Sequence, residues 1–309
     1  MTETVRRGVA TDSVIVIGRA APPAIAADLT VGAGFEAVLS GSVRALRHVS
    51  HRAEQDRPEV IHRFRVGLRR LRSLISAFSK ILPEEERRAL GARLGALGKQ
   101  YSRVREWDVF IASTLSPMAT SLPDEPALLE LEACAREARQ RALPSSIDLA
   151  AAADDIAAAI DAATWLHTPR TELSELWQSN LKDFASDLLR KRHRRLKKRL
   201  KAVDLDQQPS FHDLRIQAKK IRYPIEMFKD IFDSDRVEDY LDRVIAVQDA
   251  LGHLNDALIA RELIADLPLS SRPQGLANGW LAREIELCRQ RFPAAAKKLR
   301  KATPFWDEK

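Results

Sequence analysis

From about Gly34 onward, apolar residues recur at spacings of three and four, the period of an amphipathic helix, and the breaks between runs are short. The pattern predicts helices over Phe35–Ala53, Glu59–Leu82, Glu84–Val104, Trp107–Met118, Pro126–Ala142 and Ile147–Leu166. A second series follows at Glu172–Ala202, Phe211–Phe232, Asp235–Leu251, Asn255–Leu267 and Gly279–Lys301. Between them lie Pro83, Ser121–Pro126, Pro144–Ser146, His167–Thr171, Asp206–Ser210 and Pro268–Gly275. No alternating run of strand length appears, and the connections have the lengths that helical bundles use. The expected fold is all-α.

Composition agrees. The 309 residues are 45% hydrophobic and 30% charged, enough apolar material for a core, with only 12 Gly and 6% aromatics. A sandwich, a barrel or a Rossmann sheet would need more β-branched residues and glycine. Two cysteines, Cys134 and Cys288, lack metal-site spacing and form no disulfide framework, which suits an intracellular chain. No apolar run nears the ~18 residues of a membrane helix. Residues 1–33 read as a loosely ordered leader, because Asp12, Gly18 and Arg19 interrupt what could pass for a signal sequence.

Shifting the chain against itself by 150 residues changes the picture. His62 falls on His212, Arg65 on Arg215, Arg69 on Lys219, Arg70 on Lys220 and Arg72 on Arg222. Phe78 then meets Phe228, Ile81 meets Ile231, and Arg105-Glu106 meets Asn255-Asp256 without a gap. An internal duplication is expected, as two pseudo-symmetric antiparallel helical bundles over residues 34–168 and 169–309.

On a helical wheel His62, Arg65, Arg69 and Arg72 lie within about 80°, with Phe64, Leu68, Leu71, Leu74, Ile75 and Phe78 on the opposite arc. The second copy sets His212, Arg215, Lys219 and Arg222 against Leu214, Ala218, Ile221, Ile225 and Phe228. A line of cations repels itself and is favourable only with counter-charge, from protein carboxylates or an external polyanion. Glu106 and Asp256 are candidate internal partners. His62 and His212 stand near helix starts marked by Asp56-x-Pro58-Glu59 and Ser210-x-x-Asp213, where backbone N–H groups favour an anion. A further run, Arg190–Lys201, carries nine Lys or Arg in twelve residues and reinforces the same field, Arg195 among them, with Arg44 as a first-half counterpart. The net charge is only +7 and the pI near 9.5, because acidic residues collect elsewhere, as in Pro123–Glu137 and Asp148–Asp161.

These residues resemble a known family. His62-x-x-Arg65-x-x-x-Arg69-Arg70-x-Arg72 with Phe78, then Arg105-Glu106-x-Asp108-Val109, is similar to the first half of a CHAD domain (conserved histidine α-helical domain). His212-Asp213-Leu214-Arg215, Lys219-Lys220-x-Arg222-Tyr223, Glu226 and Phe228, followed by Leu251-Gly252-x-Leu254-Asn255-Asp256, is similar to its second half. The likeness runs over roughly residues 34–305. It departs from the family at Ser102, where Gly is usual, and at Glu106, where Asp is usual. Many relatives carry an N-terminal CYTH domain, for which residues 1–33 are too short, so its triphosphatase activity is not expected.

The resemblance implies non-catalytic binding of inorganic polyphosphate in a shared basic groove, in the cytoplasm on polyphosphate granules beside other granule-associated proteins. It assigns binding to His62, Arg65, Arg69, Arg70, Arg72, His212, Arg215, Lys219, Lys220 and Arg222. Arg105, Arg44 and Arg195 join them as nearby cations. No cofactor, metal or membrane is expected. A nucleic-acid-binding module is the first alternative, weakened by the lack of aromatics along the stripe and of any nucleic-acid motif. A metal phosphohydrolase is the second. His212-Asp213 is its dipeptide, but Arg63 stands at the position equivalent to Asp213, and stripe residues are cations rather than ligands.

Overall fold

The computed structural model describes residues 25–51, 55–163 and 174–307, and among these the secondary structure is helical apart from one isolated bridge. The first series comprises α1 (Val31–Ser50), α2 (Pro58–Ala77), α3 (Glu84–Gln100), α4 (Ser102–Phe110), α5 (Ser116–Ser121), α6 (Ala127–Ala142) and α7 (Leu149–Asp161). The second comprises α8 (Ser174–Gln178), α9 (Leu181–Ala202), α10 (Gln208–Phe228), α11 (Ser234–Ala265) and α12 (Ser271–Arg300). A π turn, Ile111–Leu115, joins α4 to α5.

Several boundaries differ from the sequence pattern. Asp235–Leu251 and Asn255–Leu267 are one helix, α11, because Leu251 and Leu254 both stay buried on its core face across Gly252. A single glycine costs an exposed helix about 1 kcal/mol and does not by itself end it. α12 begins at Ser271 rather than Gly279. The expected helix at Glu172–Ala202 is split where Asn180 caps α9, its Oδ1 accepting from the amides of Lys182 (2.9 Å) and Asp183 (3.2 Å). The predicted loose leader ends earlier than residue 33: Ile25 is buried, Thr30 caps α1 and Val31 lies in the core. The remainder of that segment, residues 1–24, lies outside the described residues.

Helix starts recur at the 150-residue spacing: 31 and 181, 58 and 208, 84 and 234. Equivalent positions also touch each other. Val31 N–H donates to the Ser179 carbonyl and Leu181 N–H to the Leu29 carbonyl, both at 2.9 Å, across the bridge between Thr30 and Asn180. The Phe78 and Phe228 rings lie 5.9 Å apart. Contacts of position i with i+150 are those of two-fold-related surfaces. Gly34 sits at this crossing, where a Cβ would come within 2.5 Å of the Leu181 side chain.

The apolar packing does not divide near residue 168. One core gathers α1, α2, α3 and α7 with Trp177, Leu181, Ala185 and Phe228. The other gathers α4–α6 with most of α9 to α12. The chain therefore crosses over within α4, between Val104 in the first core and Trp107 in the second, and α5 and α6 complete the second core.

α10 contains Pro224, which has no N–H to give to the carbonyl four residues earlier, that of Lys220. Arg192 of α9 is buried and supplies that hydrogen bond through Nη1. Burial, with the nearby Arg195 charge adding to it, lowers the Arg192 pKa to about 10. Replacing Arg192 by Leu strands the carbonyl, and chemical denaturation should show a loss of about 1–3 kcal/mol. The double change Arg192→Leu with Pro224→Ala restores the backbone donor and should recover most of that loss.

Candidate anion-binding cleft

α2 and α10 are amphipathic in the same register, so burying Phe64, Leu68, Leu71 and Phe78 on one and Leu214, Ala218, Ile221 and Phe228 on the other turns their cationic lines toward a common cleft. The electrostatics show the convergence. Lys219 feels the charges of Arg215, Arg69 and Arg65; Arg215 feels Arg69; and Arg65 feels Arg69 and Arg105. Five cations from α2, α4 and α10 thus share one field, opposed by Glu106 near Arg65 and Asp256 near Arg215 and Lys219. Arg215 Nη2 stands 3.8 Å from Asp256 Oδ1, a loose pair.

Partial burial disfavours the charges of Arg65, Arg215 and Lys219. It lowers Arg65 to about 10, with Arg69 and Arg105 pushing the same way. It lowers Arg215 despite Asp256. Lys219 falls furthest, to about 7, first through burial and then through Arg215 and Arg69. The Nε atoms of Arg65, Arg69 and Arg215 are buried without a hydrogen-bond partner. The cleft holds more donors and more positive charge than the protein itself answers.

A cavity of about 240 Å³ opens beside the α2 line, between Arg65, Arg69 and Arg72 and the Gly95, Gly98, Lys99 and Ser102 side of α3–α4. Arg65 Nη1 donates to the Gly98 carbonyl and to Ser102 Oγ (3.1 Å), so this guanidinium also closes the last turn of α3. Ser102, the departure from the family pattern, thereby helps to position Arg65.

The other expected residues are distributed differently. Arg222 bonds to Glu226 at 2.7 Å, and Arg70 Nη2 lies 4.0 Å from the same carboxylate, so this end of the cleft is largely neutralised. Lys220 and His212 point to solvent on α10, while His62 is half-buried on α2. Arg44 lies in a separate groove between α1 and α7 with Arg47, His48 and His51, where Asp154 pairs with Arg47 at 2.7 Å. Arg195 is exposed on α9. Ser210 does not cap α10; the helix starts at Gln208, and Ser210 Oγ accepts from the Asp204 amide at 2.9 Å. The carboxylate of Asp213 is engaged by Arg199 (2.6 Å) and Gln217 (3.2 Å). Among the described residues no three His, Cys, Asp or Glu side chains converge as metal ligands would.

Two residues play parts that the sequence reading did not assign, although Asp108 stands in the first-half motif. Asp108 is buried and accepts from Arg139 Nε at 2.6 Å, while Arg139 Nη2 reaches the Asp56 carbonyl at 2.9 Å. This ties α4 to α6 and to the start of α2, holding Arg105 beside the cleft; burial raises the Asp108 pKa in spite of Arg139. Arg192 is the other, and the signal for it was the internal Pro224, which announces an orphaned carbonyl at Lys220.

The CHAD-domain family model matches residues 37–265. A crystal structure of the CHAD domain from the plant Ricinus communis superposes with a TM-score of 0.73 at 26% identity, covering 93% of this chain and 97% of that one. PptA from Streptomyces chartreusis superposes with a TM-score of 0.63 at 17% identity, covering 87% of this chain and all of that one, a likeness of fold. No curated protein matches in sequence. With the family model spanning most of the chain and both halves of the motif set along one cleft, the protein belongs to the CHAD-domain family.

Proposed function

We propose that this protein binds inorganic polyphosphate, without catalysis, along the cleft between α2 and α10, and that it does so at polyphosphate granules. One observation carries the reading: Arg65, Arg69, Arg105, Arg215 and Lys219 converge, with Glu106, Asp256 and, toward Arg105, the Asp108 carboxylate already engaged by Arg139 opposing them. The family's link to polyphosphate binding supports it. A flexible chain of phosphates offers repeated oxygens to guanidinium forks and removes the mutual repulsion of the cations. Trp107 is buried against Phe110, which leaves Tyr223 beside Arg215 and Arg222 rather than a row of rings along the described part of the cleft; that favours an inorganic chain over single-stranded nucleic acid, which stacks its bases.

Counterion release should dominate affinity. With about 8 phosphates engaged, log K should fall against log salt with a slope near −5 to −6, taking the single-strand coefficient. Reversing Arg65 and Arg215 together to Glu should abolish binding while far-ultraviolet circular dichroism stays helical; unfolding would assign these residues a structural role instead. If long single-stranded RNA displaces labelled polyphosphate at equal phosphate concentration, the ligand assignment is wrong. Phosphate release in the presence of Mg²⁺ or Mn²⁺ would overturn the non-catalytic reading.

Lys219 supplies a pH signature. In the empty cleft it titrates near 7, and a bound polyanion restores its charge. Binding above pH 7 should therefore take up a proton, seen as a buffer-dependent heat in titration calorimetry, and affinity should fall as pH rises through 7. Lys219→Met should remove the uptake. For stability the sign is opposite. Between about 7 and 10.5 the unfolded chain holds a proton that the folded one lacks, so this group makes the fold more stable as pH rises. The Met variant should flatten that rise.

A further inference from the structure

The outer face of α9 is the most concentrated cationic surface that the cleft does not use. Lys191, Arg194, Arg195, Lys198 and Lys201 are all exposed, and among the described residues none of them has an ion-pair or hydrogen-bond partner. At 100° per residue they fall within about 120° of one another, and from Lys191 to Lys201 the line is about 15 Å long. Their neighbours on the helix are treated otherwise. Arg190 is paired with Asp187 and Asp307, and Arg199 with Asp213 of α10. Arg192 is committed to the Lys220 carbonyl. The equivalent positions of α1 are Gly41, Arg44, Ala45, His48 and His51, so the feature is one-sided.

Its place relative to the cleft is defined by two contacts. Arg192 bonds to the backbone at Lys220 and Arg199 to Asp213, so α9 lies antiparallel along the flank of α10 that faces away from α2. On α10, Lys220 follows Lys219 and is exposed, and its backbone carbonyl is the one that receives Arg192 of α9. Arg195 is close enough to Arg192 to lower its pKa. Lys220 thus stands where α10 meets α9, and the one carboxylate seen at that seam, Asp213, is already paired with Arg199.

We infer that α9 is an exterior track onto which a long polyphosphate continues after leaving the cleft, so that the protein distinguishes long chains from short ones. The inference rests on polyphosphate being the ligand of the cleft. Five uncompensated cations spaced three and four apart repel one another along a helix, and a linear polyanion of matching pitch relieves all of them together. Short chains fill the cleft alone. Chains long enough to cross α10 add the α9 contacts.

The test compares a short polyphosphate of about 8 units with a long one of about 100, in the full chain and in a variant with Lys191→Gln, Arg194→Gln, Arg195→Gln, Lys198→Gln and Lys201→Gln. A longer chain binds more tightly merely by offering more registers, so the salt slope is the decisive readout alongside affinity. In the unaltered protein the slope for the long chain should be steeper than for the short chain by about 3 to 4, five contacts at the single-strand coefficient. The variant should bind the short chain within about twofold of the unaltered protein, and its two slopes should coincide. Equal slopes in the unaltered protein, or a steeper long-chain slope that survives in the variant, would overturn the track. So would an equal loss for both lengths, which would make α9 part of the cleft's own field. If the unaltered protein binds neither length, the cleft reading falls and the track with it. Thermal unfolding of the variant should match or exceed that of the unaltered protein, since only exposed, unpaired charges are removed.

Discussion

Holding like charges together is the constraint on which this structure turns. The cations of α2 and α10 are brought face to face by the apolar surfaces beneath them, through Phe64, Leu68, Leu71 and Phe78 on one side and Leu214, Ile221, Ile225 and Phe228 on the other. Burying one such side chain contributes about 1.5–3 kcal/mol. Two like charges 4 Å apart in water oppose each other by about 1 kcal/mol, and more where solvent is excluded. The apolar floor therefore wins while the repulsion persists, and its signature is a lysine, Lys219, held near neutrality at physiological pH.

The same packing explains why the crossover of the chain matters. α4 passes from the first core at Val104 to the second at Trp107, and in doing so it sets Arg105 and Glu106 beside Arg65. α11 does the equivalent with Asp256 beside Arg215 without a break, because Leu251 and Leu254 remain on one buried face. Two local solutions, one kinked and one continuous, place a carboxylate at matching points of the cleft. The crossing of α1 over α9 at Thr30 and Asn180 and the tilted ring contact of Phe78 with Phe228 keep the halves in the relation that makes the lines face each other.

Arginines of this protein divide between structure and charge, and sequence position does not tell them apart. Arg65 belongs to both classes, since one nitrogen closes α3 while the guanidinium stays in the cleft field. Arg192 sits in the middle of a basic run yet is an interior hydrogen-bond donor, made necessary by the proline in the adjacent helix. Arg222 is tied to Glu226 and Arg44 lies in another groove, though both share the spacing that marked the stripe.

Sequence alone predicted the all-α class, carried the 150-residue recurrence and marked Arg65, Arg69, Arg215 and Lys219 as one candidate set, because helical periodicity is local and the basic positions repeat on it. It could not decide helix ends at Gly252 or Asn180, where burial on one side or a capping amide outweighs intrinsic propensity. It could not place the boundary between the cores, since that follows which apolar faces meet across hundreds of residues. Nor could it say which cations converge, because charges on separate helices interact through distances that only packing sets. The tertiary structure decided that five of them share a cleft, and that those on the outer face of α9 remain unpaired at its edge.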